Sequence, residues 1–99
     1  MKLLFTQSAR KQFFEAVDYI RRDNRKAAVR FRRRTETVLR RLTRHPHSGP
    51  VLPEFPELPY REVIISPYRF FYRVHEGDVW IVAVWHGAQL ANAPLPPTE

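Results

Sequence analysis

Residues 45–59, "HPHSGPVLPEFPELP", hold five of the chain's nine prolines and one of its three glycines. Neither a helix nor a central strand can run through them, because proline lacks the amide donor and its ring fixes φ. The stretch is a stiff loop that divides the 99-residue chain into two halves of different character. Apolar residues recur at helical spacing before it, and β-branched and aromatic residues crowd together after it.

In the first half, "KLLF" (Lys2–Phe5) predicts a short apolar strand, followed by Thr6 or Ser8 as the N-cap of a helix. Ala9, Phe13, Ala16, Val17 and Ile20 then form one buried stripe that ends near Asp23 and Asn24. A second helix follows, with Ala28, Phe31, Thr35, Val38, Leu39 and Leu42 on its inner face, and stops before His45-Pro46. Two amphipathic helices joined by so short a turn pack as an antiparallel hairpin, with the arginines outward.

In the second half, "YREVIIS", a Ser66-Pro67 turn, "YRFFYRV", a Glu76-Gly77 turn and "VWIVAVWH" predict a three-stranded antiparallel meander. One face of that sheet needs the helical hairpin as cover. The expected fold is therefore a two-layer α+β domain of order β-α-α-β-β-β, with the N-terminal strand joining the edge of a mainly antiparallel sheet. A single domain over 1–89 is expected, with a flexible tail over 90–99. Alternation puts Phe70, Tyr72 and Val74 against the helices, and Arg69, Phe71 and Arg73 on an open face. Arg61 alternates with Val63 and Ile65, and Trp80, Val82 and Val84 read as the core side of the last strand. By strict parity His86 joins them unless the pleat ends at Trp85, which Gly87 favours.

The chain is 43% hydrophobic and 13% aromatic, enough for a packed globule. It has no cysteine, which removes disulfides and thiolate metal sites and fits a reducing compartment. The apolar run near the N-terminus is three residues long, too short for a signal peptide or a membrane span, so a cytoplasmic protein with no membrane partner is expected. Of the 17 lysines and arginines, 13 lie between Arg10 and Arg44, opposed by Glu15, Asp18, Asp23 and Glu36. A polyanionic partner such as RNA, a ribosome, DNA or an acidic protein segment suits that half. A solvated helix face is the competing explanation for "RFRRR".

The element order, with "DYI" at 18–20, "HPHSGPVLPE" at 45–54, "YREVIISPYRFFYRV" at 60–74 and "VWHGA" at 84–88, resembles the RelE/ParE superfamily of type II toxin–antitoxin toxins. The resemblance implies a growth-inhibiting toxin, encoded beside an antitoxin that wraps and neutralises it and stabilising a plasmid or genome. The superfamily contains ribosome-dependent mRNA endonucleases resembling RelE and YoeB, and non-nuclease poisons of DNA gyrase resembling ParE.

Cleavage by a 2′-hydroxyl on the adjacent phosphate needs a base, cations for the growing charge and an acid for the leaving oxygen. By resemblance to the YoeB branch, Glu54 corresponds to the loop base, Arg69 to the phosphate-binding arginine, and His86 falls near the C-terminal acid. Arg61 and Arg73 are further phosphate or RNA-binding candidates from strand position. Each has a plainer alternative: a solvated loop carboxylate for Glu54, a solubilising role for Arg69 and Arg73, a hydrogen-bonded core histidine for His86. The sequence also departs from the nuclease pattern. No lysine follows Lys26, so the lysine-rich site of the RelE branch is missing, and the C-terminal tyrosine of YoeB-like chains has no counterpart. On the Glu54, Arg69 and His86 set the ribosome-dependent nuclease ranks slightly above the gyrase poison.

The expected partners are a cognate antitoxin and the ribosome with its mRNA, or alternatively DNA gyrase. An acidic or amphipathic antitoxin segment, laid along the hairpin or across the sheet, would bind tightly and with strong salt dependence. No cofactor or metal is expected: His45 and His47 are two apart with no other ligand cluster near, and no Gly-rich phosphate loop or nucleotide fingerprint is present.

Overall fold

The computed structural model describes residues 1–87, so the expected tail over 90–99 and the domain boundary at 89 lie outside the described residues. Its elements are β1 (Leu3–Phe5), α1 (Gln7–Asp23), α2 (Arg25–Arg44), β2 (Arg61–Ile65), β3 (Tyr68–His75) and β4 (Asp78–His86). One residue separates the helices. The Asn24 backbone N–H donates to the Ile20 carbonyl at 2.9 Å and closes α1, while its side-chain oxygen accepts from Ala27 N at 3.0 Å and opens α2. Thr6 caps α1 in the same way, accepting from Ala9 N at 3.1 Å.

The sheet runs in the order β1-β4-β3-β2. β1 lies parallel to β4, and the other pairs are antiparallel. The β3–β4 turn places Glu76 at φ 50° and Gly77 at φ 78°, the two successive positive values that a type I′ hairpin needs. Ala9, Ala16, Phe31, Leu39 and Leu42 from the hairpin pack on Ile65, Phe70, Tyr72, Val79, Ile81 and Val84 from the sheet. This is the predicted two-layer core.

Two expectations about the sheet faces are corrected. The register shifts between Phe71, opposite Ala83, and Tyr72, opposite Ile81, leaving Val82 as an extra residue in β4. The bulge reverses the strand's parity. Val79 and Ile81 meet the helices before it and Val84 after it, whereas Trp80, Val82 and Ala83 belong to a cluster on the other side. The Gln12 side-chain oxygen accepts from Val84 N at 2.8 Å just beyond the bulge, tying α1 to the irregular stretch.

The second correction is that the face carrying Phe71 is not open. Leu52 and Tyr60 from the Pro-rich loop are buried with Phe71, Val82 and Ala83, and Leu58, Trp80 and Trp85 pack around them. The loop is thus a partial third layer. It is anchored where it leaves α2: the buried Tyr72 hydroxyl donates to the Pro46 carbonyl at 2.9 Å and accepts from Gly49 N at 3.0 Å. A Cβ at residue 49 would sit 2.5 Å from the Glu62 carbonyl oxygen and 2.7 Å from that hydroxyl, so only glycine fits.

Removing the hydroxyl would strip Gly49 N of its partner in a buried setting. Tyr72→Phe is expected to lower unfolding free energy by roughly 1–3 kcal/mol in denaturant titrations, with the m-value unchanged.

Candidate functional site

The outer face of the sheet is organised around one cation. Arg69 leaves β3 beneath the Pro-rich loop, its side chain only 11% exposed. Its Nε donates to Glu62 Oε1 at 2.9 Å, and Nη1 and Nη2 donate to the two oxygens of Glu54 at 2.7 and 2.9 Å. The guanidinium carbon lies 4.9 Å from the centre of the Phe71 ring. All three nitrogens and one π-face are therefore occupied. Glu62 is 7% exposed and depends on this arginine for compensation, while Glu54 is 30% exposed at the loop surface. The bidentate hydrogen bond from Arg69 holds the Glu54 carboxyl below its ordinary value of 4.5. The same contacts, outweighing burial, keep Arg69 above the usual guanidinium range.

Of the residues singled out from the sequence, Glu54 and Arg69 come together as this fork-to-fork pair, and His86 does not join them. His86 stands opposite Tyr68, and Arg69 opposite Trp85, on adjacent rungs of the β3–β4 ladder whose side chains point to opposite faces. His86 is exposed on the helix side, its ring 5.4 Å from that of Tyr68, beside a recess of about 600 Å³ that Gln12, Glu15 and Tyr19 also line. The sheet stands between it and the arginine.

Arg61 and Arg73 lie elsewhere, near the β2 edge. Arg61 Nη1 donates to the Gly49 carbonyl at 2.8 Å, and the Arg73 guanidinium sits 5.8 Å from the Tyr60 ring centre. Both line one depression of about 350 Å³ with His47 and Tyr60.

One surface was not anticipated. Between β1, α1 and α2 lies a mainly apolar groove of about 620 Å³, lined by Leu3, Phe5, Phe13, Val29 and Leu39 and rimmed by Arg32, Arg33 and Arg40. Val29 is 48% exposed there. Two features of the sequence point to it: Val29 lies off the buried stripe of α2, and a three-residue β1 is too short to cover the hairpin. Helix α2 carries nine cationic residues against Glu36 alone, which pairs with Arg40 at 2.8 Å. No helix among the described residues is long and apolar enough to cross a membrane. The described residues contain no group of three or more His, Cys, Asp or Glu placed to hold a metal ion.

Two helices packed on a four-stranded sheet in the order β-α-α-β-β-β fit the RelE/ParE-like fold. The family model for the ParE toxin of type II toxin–antitoxin system parDE matches residues 3–91, and the chain belongs to that family. Among solved structures, it is similar to a chain of the chromosomal ParDE toxin–antitoxin system from P. aeruginosa. That match has a TM-score of 0.70 at 18% identity, covering 87% of this chain and 95% of the other. No curated protein matches by sequence.

Arg69→Leu leaves the Glu62 carboxylate buried without its counter-charge and is expected to destabilise the fold by about 3–5 kcal/mol. The pair also sets a pH dependence. Because Glu54 titrates lower in the folded chain than in the unfolded one, its contribution is complete above pH 4.5 and is lost as pH falls through the depressed value. Thermal melts of wild type and Glu54→Gln should therefore differ above pH 4.5 and converge in acid.

Proposed function

We propose that this ParE-family chain is a toxin that acts by binding DNA gyrase and blocking replication, not by cutting mRNA on the ribosome. The observation that carries this reading is the Arg69 clamp, in which each guanidinium nitrogen already donates to a carboxylate. A phosphate-binding arginine must present its charge and its N–H fork to the developing charge, and a general base must be basic enough to take a proton. Here each would first have to break the pair with the other. His86, the candidate acid, is across the sheet from both. The family match supports the same side of the superfamily's divide.

A poison that works by binding needs surfaces and no acid–base set. The arginine-lined outer side of α2 provides a cationic one, suited to the acidic or DNA-bearing parts of a gyrase complex. The apolar groove beside β1 is the place for a cognate antitoxin, whose amphipathic segment would bury Val29 and neighbouring apolar residues while acidic side chains meet Arg32, Arg33 and Arg40. Such an interface is held by burial as well as charge, so salt weakens it without abolishing it.

Pulse-labelling after induced expression separates the two targets. DNA synthesis is expected to stop before protein synthesis, with a DNA-damage response, and His86→Ala is expected to remain fully toxic. Arrest of protein synthesis first, relieved by His86→Ala, would reverse the assignment to a ribosome-dependent nuclease.

A further inference from the structure

Arg69 and Arg73 leave β3 on the same face, four residues apart, yet their surroundings are opposite. Arg69 is neutralised by two carboxylates. Arg73 makes no ion pair among the described residues, and its Nε is the one buried side-chain polar atom there without a hydrogen-bond partner. Half-burying a guanidinium while leaving it uncompensated costs free energy, and folded proteins keep few such groups. Arg61, also half-buried, donates to a backbone carbonyl and makes no ion pair with a carboxylate among the described residues.

Both side chains are nonetheless held in place. The Tyr60 ring supports one face of the Arg73 guanidinium, and the Gly49 carbonyl holds one nitrogen of Arg61. Gly49 is itself fixed by the Tyr72 hydroxyl. Both residues line one depression of about 350 Å³ at the strand end, roomy enough for a tetrahedral oxyanion, with His47 on its wall. Two pre-positioned, uncompensated guanidiniums around a recess are the arrangement that recognises phosphate oxygens by paired N–H donors.

We propose that Arg61 and Arg73, backed by Tyr60, form a phosphate-binding seat at the β2 edge, separate from both the Arg69 clamp and the groove beside β1. Its occupant is a phosphate group, supplied either by a free phosphate or phosphomonoester, or by the phosphodiester backbone of a nucleic acid. The seat does not depend on gyrase being the target.

The test is a titration of the isotope-labelled full chain, following the Nε–Hε resonances of its arginines. Inorganic phosphate is expected to shift Arg61 and Arg73 saturably and to leave Arg69 unmoved. Arg73→Gln and Arg61→Gln should each weaken binding by about tenfold or more. Arg73→Lys, which keeps the charge but loses the fork, should weaken it as well and serves if the glutamine variant does not fold. A short single-stranded DNA without terminal phosphate then separates the sources. The same two resonances shifting at lower concentration identifies the backbone phosphodiester, and no shift identifies the free anion or monoester. The proposal is overturned if α2 arginines shift as much as Arg61 and Arg73 without saturation, if acetate or an acidic peptide is as effective as phosphate, or if Arg73→Lys binds as tightly as wild type.

Discussion

The clamp of Arg69 between Glu54 and Glu62 is the interaction on which the far side of this molecule depends. A segment with five prolines has few backbone donors with which to join a sheet, and it has no helix of its own. What secures it is a set of side-chain anchors: Leu52 and Tyr60 buried on Phe71, the Tyr72 hydroxyl at its start, and Glu54 gripped by Arg69 at its centre. Glu62 adds a second carboxylate from inside the sheet, so the arginine bridges strand β2, strand β3 and loop. Such a cluster stabilises only when complete, since removing one member leaves a buried charge behind. The loop's stiffness helps, because proline restricts the unfolded chain and lowers the entropy lost on docking.

Completeness also constrains chemistry. A carboxylate held by two guanidinium hydrogen bonds is a poor base, and a guanidinium bonded through all three nitrogens is a poor receptor for a new anion. Two of the three residues considered for nuclease chemistry, Glu54 and Arg69, are thereby paired with each other. Other cations lie on both helices and at the β2 edge, several of them bordering a recess.

Much of the architecture could be read directly from residues. The helix stripes, a first cap at Thr6 or Ser8, the helix break near Asp23 and Asn24, the turns at Ser66-Pro67 and Glu76-Gly77 and the element order all follow from periodicity and local chemistry. The faces of β4 could not. "VWIVAVW" is apolar at every position, so alternation has no polar residue to mark a phase, and no glycine or proline flags the bulge at Val82. The buried outer face was hidden for a related reason: a loop is read as solvent-exposed, and the pairing of Glu54 with Arg69 spans 15 residues. Resemblance to the YoeB branch suggests a site at Glu54 and Arg69, and the fold shows the two paired with each other. Parity with Val84 puts His86 on the helix side, where it stands, but does not show that it is exposed there.

The most direct test of the proposed function is biochemical. The purified chain should be added in parallel to a gyrase supercoiling reaction and to ribosomes translating a defined mRNA. Loss of supercoiling with the mRNA intact is the predicted result. Cut mRNA with supercoiling unaffected would contradict it, and would mean that the Arg69 clamp opens on the ribosome to release Glu54 and Arg69 for chemistry.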